Sequence, residues 1–370
     1  MDKSFLFDFL RNSYAKLNCS KPLIKTGRAL LPLRYSLELT HRCNLNCPYC
    51  YIGQDRKKDE LTKDQWLEVI SKIPFWGFIT LVGGEVTIRK DFIDILYAAS
   101  KKTFGKVNVV TNGFLLSDEI INALIKSKIL LLSVSLDGWG KTHDMNRCHD
   151  GLFEKVKDNL EKINQKRKEK KSSLMIDIKT IVLKDNLEDL LKLYEYATKN
   201  SFEFFSISFL RNNNLKQNGT LFDDFNPIFY EKEYPIEPYF DMEKFKEIYK
   251  EISKIRKTSK TKIRFAPKFE ADNYQKELEL IEKFFNEYKN KDITKIYEPC
   301  LYPYSNIIIN PKGDVYPCLS AKMGNILEDK LSNILNYPKY RCFRKNLKYS
   351  KVFSACQMCC ELKVKNIDED

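Results

Sequence analysis

The chain has 370 residues and 11 cysteines, and its formal net charge is +13 at pH 7. The length suits one large domain and a smaller one, since domains average roughly 150 residues, and so few cysteines in such a chain exclude a disulfide scaffold. The sequence has neither a signal-peptide core nor the roughly 18 uncharged apolar residues that span a bilayer, which predicts a cytoplasmic protein. Its basic charge suits a negatively charged partner such as a phosphate, nucleotide, acidic carrier or membrane surface.

Residues 1–33 are predicted to form an N-terminal helix and a linker. Leu6, Phe9, Leu10, Tyr14 and Leu17 recur at helical spacing on one face of residues 1–20. A helix that caps the core is favoured over a weak membrane-surface contact, because few basic residues flank this face.

From Tyr35 onward, short apolar strands alternate with helices, which is the pattern of βαβ units around a parallel sheet. One helix begins at the capping box Thr62-x-x-Gln65. The predicted strands are 35–40, 78–82, 107–111, 131–136, 175–182 and 204–209, and the other predicted helices lie near 91–102, 117–127, 151–168 and 187–199. The sequence therefore predicts an α/β fold.

The first predicted strand leads into a cysteine loop, Cys43-x3-Cys47-x2-Cys50. Three thiolates this close can hold one iron–sulfur cube and leave one of its irons without a protein ligand. An open iron can bind a small chelating molecule and donate an electron to it. The alternative is a structural zinc site, although zinc usually takes four ligands from paired short spacings, and His41 is the fourth candidate nearby.

The strand after the cysteine loop ends in Gly83-Gly84-Glu85-Val86-Thr87. Bare glycine backbone permits close approach to a ligand, and a carboxylate suits an ammonium group. Thr111-Asn112-Gly113 and Ser135-Leu136-Asp137-Gly138 follow the next two strands. Because the carboxyl ends of parallel strands meet at the same edge of a sheet, we expect these residues to lie close together there.

The CxxxCxxC loop, with Tyr49 before its last cysteine, resembles that of the radical S-adenosylmethionine (SAM) superfamily, and Gly83-Gly84-Glu85 resembles its GGE motif, with Val86 where the family often has proline. The resemblance implies a partial (β/α)6 TIM-like barrel over residues 34–215, with the barrel end and bridging helices over 216–295. It also implies a [4Fe–4S] cluster on Cys43, Cys47 and Cys50 that binds SAM, cleaves it reductively to a 5′-deoxyadenosyl radical, and receives electrons from a flavodoxin- or ferredoxin-type donor. The cofactor contacts that it implies are Tyr49, Gly83, Gly84, Glu85, Thr111, Asn112, Ser135 for the ribose and Arg147 for the methionine carboxylate.

A second cysteine group occupies residues 296–370. The turn Asn310–Asp314 between two apolar strands resembles the opening of SPASM domains, and the short length resembles the reduced Twitch form with one auxiliary [4Fe–4S] cluster. Four thiolates would equally suit a structural zinc site. The ligands that the resemblance implies are Cys300, Cys318, Cys356 and Cys359, with Cys360 or Cys342 as alternates.

Alternate positions along the predicted strands carry polar side chains. Side chains alternate across a strand, so these rows point into the barrel unless the strand phase is shifted by one residue. Asp177 and Lys179 then become candidate catalytic residues that bind substrate or exchange a proton. The polar rows are Glu38, Thr80, Ser133, Ser135, Asp177, Lys179, Ser206 and Ser208.

The expected function is hydrogen abstraction from a small polar or phosphorylated substrate, such as a sugar, aminocyclitol, nucleotide or lipid head group, in a net oxidation aided by the auxiliary cluster. Only 34 residues precede the first strand, too few for the winged-helix domain with which peptide maturases of this group bind leader peptides. A peptide or protein side-chain maturase is the alternative. A non-enzymatic iron–sulfur or zinc protein that binds nucleic acid is the alternative of another class, but no basic stripe interleaved with aromatics is present in the sequence.

Overall fold

The computed structural model describes residues 13–14, 16–17, 25–50, 52, 59–210, 240–287, 293–318, 322–353, 356 and 358–365. Most of the helix predicted over residues 1–20 lies outside these ranges. Within them, no helix is both long enough and apolar enough to cross a membrane.

The strands of the described residues form one continuous sheet in the order β10-β9-β8-β1-β2-β3-β4-β5-β6-β7. β1 to β7 pair in parallel in chain order, as βαβ units require, and all of the predicted strands are present. The strands are β1 (Arg34–Glu38), β2 (Phe78–Val82), β3 (Val107–Thr111), β4 (Leu131–Ser135), β5 (Met175–Val182), β6 (Phe204–Phe209), β7 (Lys262–Ala266), β8 (Asn306–Ile309), β9 (Asp314–Tyr316) and β10 (Gly324–Asn325).

Helices join the parallel strands at the predicted places. The first helix begins at the predicted capping box. There the Gln65 backbone N–H donates to the Thr62 hydroxyl at 3.3 Å, and the Thr62 backbone N–H donates to the Gln65 side-chain oxygen at 2.9 Å. The helices are α1 (Lys63–Lys72), α2 (Phe92–Thr103), α3 (Asp118–Lys126), α4 (Lys141–Arg147), α5 (Leu152–Glu169), α6 (Leu187–Lys199), α7 (Met242–Arg256), α8 (Tyr274–Glu287), α9 (Ile293–Ile296), α10 (Tyr302–Ser305), α11 (Leu331–Ile334) and α12 (Pro338–Ser350).

The two faces of the sheet differ in the way that the strand pattern predicts. Residues facing the helices, such as Leu37, Val109 and Ile178, are fully buried and apolar. The opposite rows line a cavity of about 590 Å³ inside the barrel. The predicted strand phase is therefore confirmed for the polar residues on that cavity wall, which are Thr80, Ser133, Asp177, Lys179, Ser206 and Ser208.

Four strands, β7 to β10, extend the sheet beyond the six strands predicted for the barrel. β7 lies in the segment 216–295, which was expected to close the barrel with helices, and it pairs in parallel with β6. β8 pairs in parallel with β1, and the antiparallel strand β9 pairs with β8. The hairpin that follows Cys300 is thus continuous with the barrel sheet.

Candidate cluster and cofactor site

The cysteine loop begins just beyond β1, at the carboxyl edge of the parallel strands. The thiols of Cys43, Cys47 and Cys50 are half-buried. Burial, with smaller contributions from Asp137 and from the Cys50 and Cys43 thiols, raises the pKa of the Cys47 thiol to about 11, although the charge of Arg147 lowers it. Crowded, desolvated thiols become thiolates when a bound cation compensates their charge, so this donor set fits an iron–sulfur cluster.

The fourth candidate ligand, His41, does not join the thiols in this arrangement. Its Nε2 lies 3.2 Å from the Glu38 carboxylate at the end of β1. In the described ranges, no group of three or more histidine, cysteine, aspartate or glutamate side chains is gathered closely enough to hold a single metal ion.

A buried ionic cluster clamps the start of the cysteine loop. The Glu60 carboxylate pairs with Arg42 at 2.9 Å and with Arg89 at 3.3 Å, and the Thr40 hydroxyl donates to it. Burial opposes the charge of Glu60, yet hydrogen bonds from Arg42 and Thr40 hold the pKa of its carboxyl below the usual value. Arg89 also donates to the Leu39 carbonyl at 3.0 Å, which ties the clamp to β1.

The two glycines after β2 support the cysteine loop through the backbone. The Gly84 N–H donates to the Thr40 carbonyl at 2.7 Å, and the Glu85 N–H donates to the Arg42 carbonyl at 2.9 Å. A Cβ atom on Gly84 would lie 2.2 Å from the Arg42 oxygen, and one on Gly83 would lie 2.3 Å from the Thr40 oxygen. Glycine is required here because the loop passes against bare backbone.

Glu85 is fully buried and bridges the ends of β2 and β3. Its carboxylate accepts hydrogen bonds from the Thr87 N–H and hydroxyl at 3.1 and 2.6 Å, the Thr111 hydroxyl at 2.8 Å and the Asn112 N–H at 2.6 Å. The Asn112 side chain in turn lies 3.9 Å from the Cys43 sulfur. The sequence predicted correctly that these residues lie close together. Their direct contact with SAM stays a prediction.

Asp137, which follows β4, is the centre of a second buried network. Its Oδ2 accepts from the Tyr49 hydroxyl at 2.6 Å and from Arg147 Nε and Nη2 at 2.8 and 2.6 Å. Burial lowers the pKa of Arg147, but the Asp137 charge outweighs it and raises that pKa above the ordinary value. Arg147 was predicted to bind the SAM carboxylate; here its guanidinium holds Asp137, and its carbonyl lies 4.0 Å from the Cys47 sulfur.

The predicted catalytic pair lies lower in the barrel, on β5. Asp177 is fully buried, and its carboxylate accepts from Ser133 at 3.2 Å and Ser206 at 2.7 Å and pairs with Arg264 of β7 at 2.9 Å. These partners already occupy the Asp177 carboxylate, and a catalytic role for the pair stays a prediction. Lys179 is half-buried and lines the cavity.

The second cysteine group lies at the opposite edge of the sheet. Because β8 runs parallel to β1 and β9 returns antiparallel, Cys300 before β8 and Cys318 after β9 both lie at the amino edge of β1. Burial raises the pKa of Cys300 well above its usual value, and the Cys356 and Cys318 thiols raise it further. These thiols, together with Cys359, are half-buried, whereas Cys342 and Cys360 are exposed. The donor set fits a second cluster, roughly 17 Å of strand away from the first.

Two family models match the chain at these two sites. Residues 37–197 match the radical SAM superfamily, and residues 300–360 match the SPASM iron–sulfur cluster-binding domain. The chain therefore combines a radical SAM domain with a SPASM domain, and these domains bind [4Fe–4S] clusters and SAM.

Among relatives, the sporulation killing factor maturation protein SkfB of Bacillus subtilis is 34% identical over 150 residues, which cover 39% of this chain and 36% of SkfB. The AdoMet-dependent heme synthase of Methanosarcina barkeri is 29% identical over 336 residues, covering 89% of this chain and 88% of the synthase. The crystal structure of SuiB of Streptococcus suis bound to S-adenosylmethionine has a TM-score of 0.63 at 17% identity, covering 87% of this chain and 70% of SuiB. The SuiB likeness shows the fold alone.

Several residues of the site were not predicted to have a role. Glu60 and Arg89 lie outside the cysteine loop, and the sequence carries no local motif that marks them. Asp137 carried a signal, because it belongs to the Ser135-Leu136-Asp137-Gly138 string at the end of a strand. Arg264 is on the strand that sequence patterning missed.

Proposed function

We propose that this protein is a radical SAM enzyme that removes a hydrogen atom from a small polar substrate held in the barrel cavity. When bound, the cofactors supply a 5′-deoxyadenosyl radical at the carboxyl edge and, at the amino edge, an acceptor for the electron released in a net oxidation. The observation that carries the proposal is that Asp137 and Glu60 hold the cysteine loop at the carboxyl edge of the same strands whose inward rows line a polar cavity.

The residues of this chain hold the cysteine loop and the strand ends in place. Tyr49 and Arg147 hold the loop on Asp137, while Glu85 fixes the ends of β2 and β3 beside Cys43. The cavity of about 590 Å³ falls within the roughly 300–1,000 Å³ that small-molecule sites occupy.

The relatives support two substrate classes. Heme synthase aligns over nearly its whole length and is named for a small-molecule product, which supports the first class. SkfB has the higher identity over a shorter segment and is named for maturation of a killing factor. Modification of a peptide side chain is therefore the second candidate function.

The test is SAM cleavage by the anaerobically reconstituted full-length protein with dithionite, read as 5′-deoxyadenosine. We expect the wild type and the Cys342→Ala control to form it and the Cys47→Ala variant to form none. A fully loaded, reduced wild type that forms no 5′-deoxyadenosine would refute the proposal and favour a binding protein.

A second measurement separates the two substrate classes. The same assay is repeated with the low-mass metabolite fraction and with the peptide fraction of a cell extract. We expect the low-mass fraction to raise 5′-deoxyadenosine above the level without substrate. A rise confined to the peptide fraction would overturn the small-molecule class and support peptide modification.

A further inference from the structure

We propose that Lys179, with Arg264 beside it, is a receptor for one anionic group of the substrate, a carboxylate or a phosphate. This inference rests on the proposed function and deepens it by naming the chemistry of the substrate. Of the two roles predicted for the β5 pair, substrate binding and proton exchange, it selects binding.

The carboxylates that line the cavity form ion pairs with basic side chains. Asp177 pairs with Arg264 at 2.9 Å. Elsewhere on the wall, Glu361 pairs with Arg34 at 3.4 Å, Glu277 with Arg256 at 2.6 Å and Glu270 with Lys363 at 3.1 Å. The acidic groups of the lumen are therefore already neutralised.

Lys179 is a cation of the cavity wall that this pairing leaves over; Lys106, which also lines the cavity, donates to the Phe75 and Thr103 carbonyls at 3.2 and 2.8 Å. In the strand register Lys179 lies between Ser135 on β4 and Ser206 on β6, so both of its neighbours are hydroxyls. Within the described residues, the structure gives its ammonium no hydrogen bond and no ion pair. A half-buried ammonium loses hydration without gaining a counter-charge, and an anionic ligand would supply that charge.

Arg264 adds further donors next to this position. Its guanidinium stacks on Phe204 at 3.8 Å from the ring centroid, and one terminal nitrogen pairs with Asp177. Its Nε is buried without a hydrogen-bond partner. A planar guanidinium held by an aromatic ring and a carboxylate is preorganised to bind a second oxyanion through its remaining donors.

The position of Lys179 along the barrel axis suits a residue that binds substrate. Ser135 is its register partner, and Asp137, two residues further along, binds Tyr49 of the cysteine loop. Two residues of extended chain span roughly 7 Å. An anion on Lys179 would therefore lie about this far along the strands from the network that holds the cysteine loop.

The test measures probe binding to the full-length protein by isothermal titration calorimetry without SAM or reductant. The probes are inorganic phosphate and succinate. We expect Lys179→Met to weaken binding of the preferred probe about ten- to hundredfold, the loss of a charge-assisted hydrogen bond in a half-buried site. Lys179→Arg should keep most of the affinity, and Lys250→Met, which removes an exposed lysine of α7, should bind as the wild type does.

Preference for phosphate would assign a phosphorylated substrate, and preference for succinate a carboxylate. Equal binding by Lys179→Met and wild type, or no binding of either probe by wild type at millimolar concentration, would overturn the anion receptor. Thermal unfolding checks that Lys179→Met is folded, and Lys179→Gln replaces it if it is not. Because SAM is absent, this result is independent of 5′-deoxyadenosine formation, whose failure would instead refute the proposed function.

Discussion

The Asp137→Asn substitution tests whether the buried network under the cysteine loop holds that loop in place. Asp137 is fully buried, and its carboxylate binds Arg147, the Tyr49 hydroxyl and the Ile181 N–H. Asparagine keeps the shape but removes the charge, and its NH2 group can only donate, so it would face one of these donors. The Arg147 side chain, 12% exposed, would then be left without its counter-ion.

Removing one partner of a buried ion pair costs about 3–5 kcal/mol, because the remaining charge stays desolvated. We expect Asp137→Asn to lose this free energy of unfolding, measured by urea denaturation of the anaerobic protein. Since Tyr49 and the Arg147 carbonyl both adjoin the cysteines, the variant should also retain less iron after reconstitution.

The matched control is Asp94→Asn, which makes the same substitution in a surface pair. Asp94 is 59% exposed and lies 3.3 Å from Lys63. Exposed pairs contribute about 0–1 kcal/mol, so this variant should be near wild type in stability and iron content. If Asp137→Asn were as stable as Asp94→Asn and kept its full iron, the supporting role of the network would be wrong.

Three further outcomes follow from the structure. Gly84→Ala places a Cβ 2.2 Å from the Arg42 oxygen, so urea denaturation should show a loss of about 1–3 kcal/mol, with reduced iron retention. Burial lowers the pKa of His143 to about 4, from 6.5, so the unfolded chain binds more protons between these values. The free energy of unfolding, measured by urea denaturation, should therefore fall by up to about 3 kcal/mol as the pH drops through 6.5 towards 4, and a His143→Gln variant should show a flatter profile. Cys356→Ala should lose the iron of one cluster on reconstitution, whereas Cys342→Ala should lose none, because Cys342 is exposed.

The sequence predicted the barrel well because its outward rows are strongly apolar and its helices have clear boundaries. α6 has the predicted bounds, and the phase of β5 is correct, since Ile176 and Ile178 are buried while Lys179 faces the lumen. β7 was missed although Lys262–Ala266 alternates between basic and apolar residues, because it lies in a lysine-rich stretch that was interpreted as helical.

The site was predicted where a local motif marks it and missed where contacts are long-range. The cysteine loop and Gly84 belong to contiguous motifs, so their proximity follows from adjacent parallel strands. Glu60 and Arg89 meet the loop only through the fold, and no spacing rule links them. For Arg147 the reason is different. The family resemblance suggested a role for this arginine, but it did not predict that the Asp137 carboxylate binds its side chain.

The most direct test of the account is the response of each cluster to SAM, read by electron paramagnetic resonance of the reduced protein. A Cys300→Ala, Cys318→Ala variant should retain a cluster whose spectrum changes when SAM is added. A Cys43→Ala, Cys47→Ala, Cys50→Ala variant should retain the other cluster, with a spectrum that SAM leaves unchanged. A SAM response in the second variant, or none in the first, would contradict the assignment of the SAM-binding cluster to the loop after β1.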